Sequence, residues 1–209
     1  MATTSFFRAL AREAYHLPER LLHPWRRRSA LARLRGRARP RSVLFICHGN
    51  ICRSPYAELA ARRVLPASIA VESAGFLDSG RPSPREAIQV AGERGLDLAP
   101  HRSQKLELGH LREVDLVFVM DEGQLERLVT ARPELRERVC LLGDLDPEPA
   151  TRRTIPDPVE RPAAEFRVCY DRIERCVGAL AALWRDDARD DAQGQRGELQ
   201  GRRRSEVRE

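Results

Sequence analysis

The chain almost lacks lysine: of its 37 basic residues only Lys105 is not an arginine. A bias of that kind follows genome composition more than function. Aromatic residues make up only 5%. Long apolar runs are missing as well. The longest, Val177 to Trp184, reaches eight residues even with Gly178 counted, whereas a membrane-spanning helix needs about 20. A secretory leader needs an N-terminal apolar stretch of about 7–15 residues, and the best candidate, Phe6-Phe7-Arg8-Ala9-Leu10, is broken by Arg8. Cysteines are few and odd in number, five in 209 residues. That argues against a disulfide-stapled secreted fold and for reduced thiols in a cytoplasm. No internal repeat is found.

What is there suits one globular domain with tails. Hydrophobic residues make up 42% and the mean hydropathy is −0.50, in a chain long enough to bury a core. The net charge of +6 is unevenly placed: residues 1–41 hold eleven Arg against Glu13 and Glu19, hence +9, which leaves −3 for the rest. The isoelectric point of about 9.5 therefore reflects the arm, and nucleic-acid binding is not expected.

Residues 1–41 read as a basic N-terminal extension. Phe6, Phe7, Leu10 and Ala14 fall at helical spacing, and Pro18 and Pro24 interrupt the pattern. The Arg cluster with Phe6, Phe7, Leu10 and Trp25 suits adsorption to an anionic membrane surface or docking of an acidic partner. A flexible extension with incidental charge is the simplest reading. Residues 42–185 read as the folded domain, and the Asp-, Arg-, Gln- and Gly-rich stretch 186–209 as a disordered polar tail, having almost no apolar side chain to offset its ordering entropy.

Within the domain, Val43-Leu44-Phe45-Ile46-Cys47 is an unbroken apolar run of strand formers, the pattern of a strand covered on both faces. Further strands are expected at Ile69–Val71, Leu116–Met120 and Val139–Leu142. Helices are expected over Pro55–Val64, over Ser83–Gly95 with Ser83 as N-cap and Gly95 as stop, over Glu122–Ala131, and over Ala163–Trp184, where Phe166, Tyr170, Ile173, Val177, Leu180 and Leu183 form one stripe. Strands alternating with helices imply an α/β fold: a small, doubly wound, parallel four-stranded sheet with helices on both faces. Ligands of such sheets bind at the carboxyl edge.

At that edge lies Cys47-His48-Gly49-Asn50-Ile51-Cys52-Arg53-Ser54. Between a buried strand and a helix start, its amides can cradle an anion. Gly49 lets the chain turn tightly. The helix dipole favours an anionic sulfur at Cys47, and the planar fork of Arg53 matches two phosphate oxygens. The Gly-Lys-Ser/Thr of a nucleotide-binding loop is absent. Alone, a Cys and an Arg six positions apart could be a buried thiol and a solvated helix residue. Here the flanking strand, Gly49, Ser54 and Pro55 all stand where a cradle requires them.

The segment Val43 to Glu58, VLFICHGNICRSPYAE, closely resembles the signature of low-molecular-weight protein tyrosine phosphatases. The likeness continues through Ser73-Ala74-Gly75, Ala99 to Ser103, Asp115 to Asp121 and Ile155-Pro156-Asp157-Pro158, covering roughly residues 42–184. The resemblance implies that Cys47 attacks phosphorus and forms a cysteinyl-phosphate. It implies that Arg53 and the amides of His48, Gly49, Asn50, Ile51, Cys52 and Ser54 hold the phosphoryl group. Ser54 then donates to the sulfur, and Asn50 locks the loop with Ser73 and His101 behind it. The resemblance also implies that Asp157 is the general acid, since phenolate expulsion needs a proton donor and Pro156 and Pro158 restrict its loop; alone, Asp-Pro would read as a plain surface turn. Phosphorylated proteins are the implied substrates, and neither metal nor other cofactor is called for. The five histidines show no ligand spacing.

Cys52 is either a redox partner of Cys47, as the family uses such a neighbour, or a small residue packed under the loop. Cys169 and Cys176, seven apart on one helix, are expected in the core. Val159 and Glu160 stand where the family usually places aromatic residues, which leaves Phe76 as either the opposite wall for a substrate ring or a core residue. A phosphoarginine-directed branch carries Thr at the position of Ile51, and an arsenate-reducing branch needs cysteines that residues 121–139 lack. Protein-tyrosine phosphatase is therefore the leading expectation. A phosphatase of other phosphomonoesters, and a phosphate-recognising binding module anchored by the arm, are its rivals.

Overall fold

A computed structural model describes the chain over residues 20–206, with side chains to Arg185. The remaining expectations, including the helical spacing of Phe6 to Ala14, lie outside the described residues.

Four parallel strands form the sheet, in the order β2-β1-β3-β4: β1 is Ser42–Cys47, β2 Ala70–Gly75, β3 Leu116–Val119 and β4 Val139–Leu141. In β1 every residue from Val43 to Cys47 is buried, because helices cover both faces, as the unbroken apolar run requires. Alternate residues enter opposite cores. Val43, Phe45 and Cys47 join Phe118, Tyr56, Tyr170 and Trp184 on one side, while Leu44 and Ile46 join Val117, Val119, Leu128 and Leu141 on the other. Registers Ile46 with Ala74 and Ile46 with Val119 bring β1, β2 and β3 to a common carboxyl edge.

The helices are α1 over residues 20–35, α2 Arg53–Val64, α3 Arg85–Gly92, α4 Glu122–Ala131 and α5 Ala163–Glu206. The stripe of α5 from Phe166 to Leu183 is buried as its spacing predicts, and Tyr170 stacks on Tyr56 at 3.6 Å. Two details differ from expectation. Ser83 does not cap α3: the cap position is Pro84, and Ser83 Oγ is buried without a hydrogen-bond partner. The backbone of α5 continues as helix through 186–206, the stretch read as a tail; that run contains no proline to stop it.

The basic extension is the larger departure. Its described part, residues 20–41, is no free arm. In α1, Ala30, Leu31 and Leu34 enter the larger core, and His23 is buried with Nε2 2.9 Å from Asp146 O. Arg27 donates to Leu145 O (3.3 Å) and Arg33 to Cys140 Sγ (3.0 Å). Pro24 does not break the helix, which is continuous over residues 20–35. Asp146 is itself clamped by Arg172 and Arg175 of α5, so α1 docks on a rigid corner.

Candidate active site

The strand order reverses between β1 and β3, and the crevice at their carboxyl ends is where an open α/β sheet accepts ligands. β1 ends at Cys47 and β3 leads into Asp121, the N-cap of α4, which accepts from Gln124 N at 2.8 Å. Between them the loop from Cys47 turns into α2. The N-terminus of α2 has no side-chain cap and no acidic residue in its first turn, which leaves its orphan amides and its positive dipole end to a ligand.

Cys47 Sγ accepts two hydrogen bonds, from Asn50 N at 3.2 Å and from Ser54 Oγ at 3.1 Å. Both donors stabilise negative charge on sulfur. Arg53 is 3% exposed. Its Nη1 donates to Ile155 O at 3.0 Å, its Nη2 meets Asp157 Oδ2, and Asp121 Oδ2 lies 3.6 Å from Nη1. Its Nε is buried without a hydrogen-bond partner. A buried guanidinium with an unsatisfied donor is costly unless something with oxygen acceptors completes it.

Asn50 holds the loop. It adopts φ 51°, a left-handed conformation that Asn tolerates better than most residues. Its amide group donates to Ser54 Oγ and to Ser73 Oγ, each at 2.9 Å, and accepts from Gln104 N at 2.7 Å. Its backbone carbonyl lies 2.7 Å from His101 Nε2, and Ser73 in turn donates to Glu58 at 2.5 Å. The tight turn expected at Gly49 is thus made at Asn50. Gly49 serves as the crossing point of Arg81, whose Nη2 donates to Gly49 O at 2.8 Å. Behind the loop, a Cβ on Gly75 would stand 2.7 Å from Asn50 N, so β2 must end in glycine there.

Asp157 arrives on a different segment. Residues 152–157 cross the turn Leu142–Leu145 so closely that a Cβ on Gly143 would lie 1.9 Å from Arg153 O. Ile155 N donates to Met120 O at 2.8 Å, tying this segment to the end of β3. Cys47, Arg53 and Asp157, separate in sequence, thereby share one edge.

Of the remaining expected residues, His48 is exposed at the mouth, Ile51 is half-buried and Cys52 is buried. All five cysteines are free thiols. Burial pushes the Cys52 thiol up, and the nearby Asp157 and Cys47 charges push it further while Arg53 opposes them. Burial likewise lifts Cys169 to about 12, with the charges of Arg53, Asp157 and Cys47 again within reach. A cavity of about 460 Å³ opens over His48, Arg53, Phe76, Asp121, Arg127 and Asp157. Phe76 stands on its wall, with the Arg127 guanidinium 4.3 Å above its ring. A larger hollow of about 600 Å³ lies at the outer edge of β2 among Glu58, Glu72, Ser73, His101 and Lys105, away from Cys47. Among the described residues no cluster of three potential metal ligands occurs.

Sequence reasoning did not find Asp121, Arg81, Gln104 or Arg127. Each acts through a fold contact; only the N-cap position of Asp121 left a local signal.

Residues 42–190 match the family described as low molecular weight phosphotyrosine protein phosphatase. Among similar proteins, Wzb of Escherichia coli (strain K12), named a low molecular weight protein-tyrosine-phosphatase, is 37% identical over 135 residues, which are 64% of this chain and 88% of Wzb. EpsP of Ralstonia nicotianae, named a probable phosphatase of the same kind, is 33% identical across 66% of this chain and 92% of its own length. Two solved structures share the fold. Wzb of Escherichia coli K30 with sulphate has TM-score 0.63 and 34% identity, covering 69% of this chain and 98% of that one. The YwlE arginine phosphatase of Geobacillus stearothermophilus has TM-score 0.65 and 27% identity, covering 72% and 97%. A family match across most of the chain, on a four-stranded parallel sheet whose carboxyl edge carries Cys47, Arg53 and Asp157, makes this chain a member of the low molecular weight phosphotyrosine protein phosphatase family.

Proposed function

We propose that the chain hydrolyses phosphotyrosine in protein substrates through a covalent cysteinyl-phosphate on Cys47. The observation that carries this reading is the buried Arg53, with one unsatisfied donor, beside a sulfur already stabilised by two hydrogen bonds. In the first step Cys47 Sγ attacks phosphorus. The P–S bond forms, the bond to the phenolic oxygen breaks, and Asp157 delivers a proton to that oxygen. Arg53 and the loop amides hold the three equatorial oxygens, where charge concentrates. In the second step the Asp157 carboxylate takes a proton from water. The water oxygen bonds to phosphorus, the P–S bond breaks, and phosphate leaves with the thiolate restored.

Ser54 steadies the sulfur in both of its leaving and attacking roles. Asn50, Ser73 and His101 fix the loop so that its amides need no reorganisation during reaction. The half-buried Ile51 packs against the core instead of presenting a hydroxyl to the pocket, and Phe76 offers an aromatic wall; both favour a phenolic over a guanidino phosphate. The free thiols suit a reducing cytoplasm.

Rapid-quench kinetics with p-nitrophenyl phosphate test the proposal. Wild-type protein should give a burst of nitrophenol equal to one per chain and, with labelled phosphate, an alkali-stable, acid-labile label trapped on Cys47, and Cys47→Ser should give neither. A phosphotyrosine peptide should be turned over at least tenfold faster than phosphoserine or phosphoarginine peptides. Full turnover by Cys47→Ser would end the proposal, and a preference for phosphoarginine would transfer it to the other branch.

A further inference from the structure

We infer that the outward face of α1 docks the chain onto an anionic phospholipid surface. The helix lies outside the family match, which begins at residue 42, so whatever it does is added to the shared chemistry. Its inward face is accounted for by His23, Arg27, Ala30, Leu31 and Leu34. Among the described residues nothing covers its outward face. Leu21 is 70% exposed, Trp25 68% and Leu22 45%. Leu21 and Trp25 are one turn apart, on the line continued by Arg28 and Ala32, opposite Ala30 and Leu34. Large apolar side chains left exposed together on one side of a helix signal a surface meant to be covered.

The charge around them selects the cover. Residues 20–41 hold nine Arg and neither Asp nor Glu. Arg27, Arg33 and Arg37 reach inward to Leu145, Cys140 and Glu137, while Arg28, Arg35, Arg39 and Arg41 are exposed. A convex helix face with Trp and Leu at its crest and Arg at its flanks is the pattern of an interfacial helix: the apolar groups enter the acyl boundary and guanidinium groups meet lipid phosphates. No described helix is long and apolar enough to cross a membrane, so this contact is peripheral.

The position of α1 gives the docking a direction. His23 meets Asp146 just beyond β4 at the carboxyl end of the sheet, and Arg37 meets Glu137 at its amino end. Leu21, Leu22 and Trp25 therefore sit at the end of the helix nearest the edge that carries Cys47. A chain docked there brings its catalytic edge toward phosphorylated segments that lie close to the membrane surface.

Trp25 supplies its own reporter, because the other tryptophan, Trp184, is 1% exposed. Full-length protein should co-sediment with phosphatidylcholine vesicles containing 30% phosphatidylglycerol and not with phosphatidylcholine alone, with a blue shift of tryptophan emission. Trp25→Phe should abolish the shift. Leu21→Ser with Leu22→Ser, and separately Arg28→Glu with Arg35→Glu, should each weaken vesicle binding at least tenfold, about fivefold per exposed arginine. None of these variants should change hydrolysis of p-nitrophenyl phosphate in solution. Equal binding by wild type and variants, equal binding to neutral vesicles, or an unshifted Trp25 would overturn the inference. So would a concentration-dependent dimer that disappears in Leu21→Ser without any vesicle binding, since the face would then belong to a second copy. The readout needs no substrate, so its failure is distinct from failure of the phosphatase reading.

Discussion

Arg53 and Asp157, 104 positions apart, close on each other through Arg53 Nη2 and Asp157 Oδ2. The arginine is 3% exposed and the carboxylate 33%. In the proposed mechanism one guanidinium would serve as both the phosphate grip and the rest position of the acid. A phosphoryl dianion entering the loop would compete with Asp157 for it, and once the oxygens took the guanidinium the carboxyl would be released toward the leaving group.

That competition separates two effects of Asp157→Asn. Loss of the proton donor should lower kcat by about 10²–10⁴, more for phenyl phosphate than for p-nitrophenyl phosphate, whose leaving group needs less help. Loss of the competing charge should at the same time tighten inhibition by inorganic phosphate several-fold. Steady-state kinetics with the two substrates, plus phosphate inhibition, check both; an unchanged leaving-group dependence would remove the acid role from Asp157.

Asn50 lets backbone and side-chain contributions be told apart. Asn50→Ala loses the bonds to Ser54, Ser73 and Gln104 and also forces alanine into φ 51°. Asn50→Gly loses the same bonds without the conformational strain. If the side-chain network is what holds the loop, both variants should lose about 10²-fold in kcat/KM, on the scale of one misplaced oxyanion donor, while the glycine variant keeps the higher Tm. Near-wild-type kcat/KM in Asn50→Gly would show that backbone freedom alone suffices and that the side-chain bonds to Ser54, Ser73 and Gln104 are dispensable.

The parts legible in the sequence were those encoded over short distances. The run Val43 to Cys47 announced a doubly covered strand because both faces bury every residue, and the segment from Cys47 to Ser54 announced a strand–loop–helix turn because the three are contiguous. The stripe of α5 was readable for the same reason. What stayed hidden depends on contacts between distant segments. Arg81 reaches Gly49 and Gln104 reaches Asn50 only because β2 ends beside the loop. The docking of α1 was masked by its six arginines: charge suggested a solvated arm, while the three small or apolar residues that seat it, Ala30, Leu31 and Leu34, form too short a stripe to stand out. The turn at Asn50 was misassigned to Gly49 because glycine is the usual donor of left-handed backbone, and only the surrounding bonds make Asn the better fit.

Four thiols make the fold sensitive to alkali. Burial pushes Cys52 and Cys176 far up, lifts Cys169 to about 12, and also raises Cys140, all from an ordinary value of 9.0. Below that value both folded and unfolded chains keep these protons, and stability does not depend on them. Above it the unfolded chain releases protons that the folded chain retains, so unfolding gains up to tenfold per thiol for each pH unit. The raised hydroxyls of buried Tyr56 and Tyr170 act in the same direction from their ordinary value of 10.0 upward. Urea midpoints measured in reductant should accordingly be flat from pH 7 to about 8.5 and fall steeply from pH 9 to 10.5. Cys176→Ala, which removes one of the buried protons, should lower the midpoint at pH 7 through its cavity yet show a shallower decline with pH. A midpoint that stays level to pH 10.5, or a decline as steep in Cys176→Ala as in the wild type, would mean that these thiols ionise in the folded chain as easily as in the unfolded one.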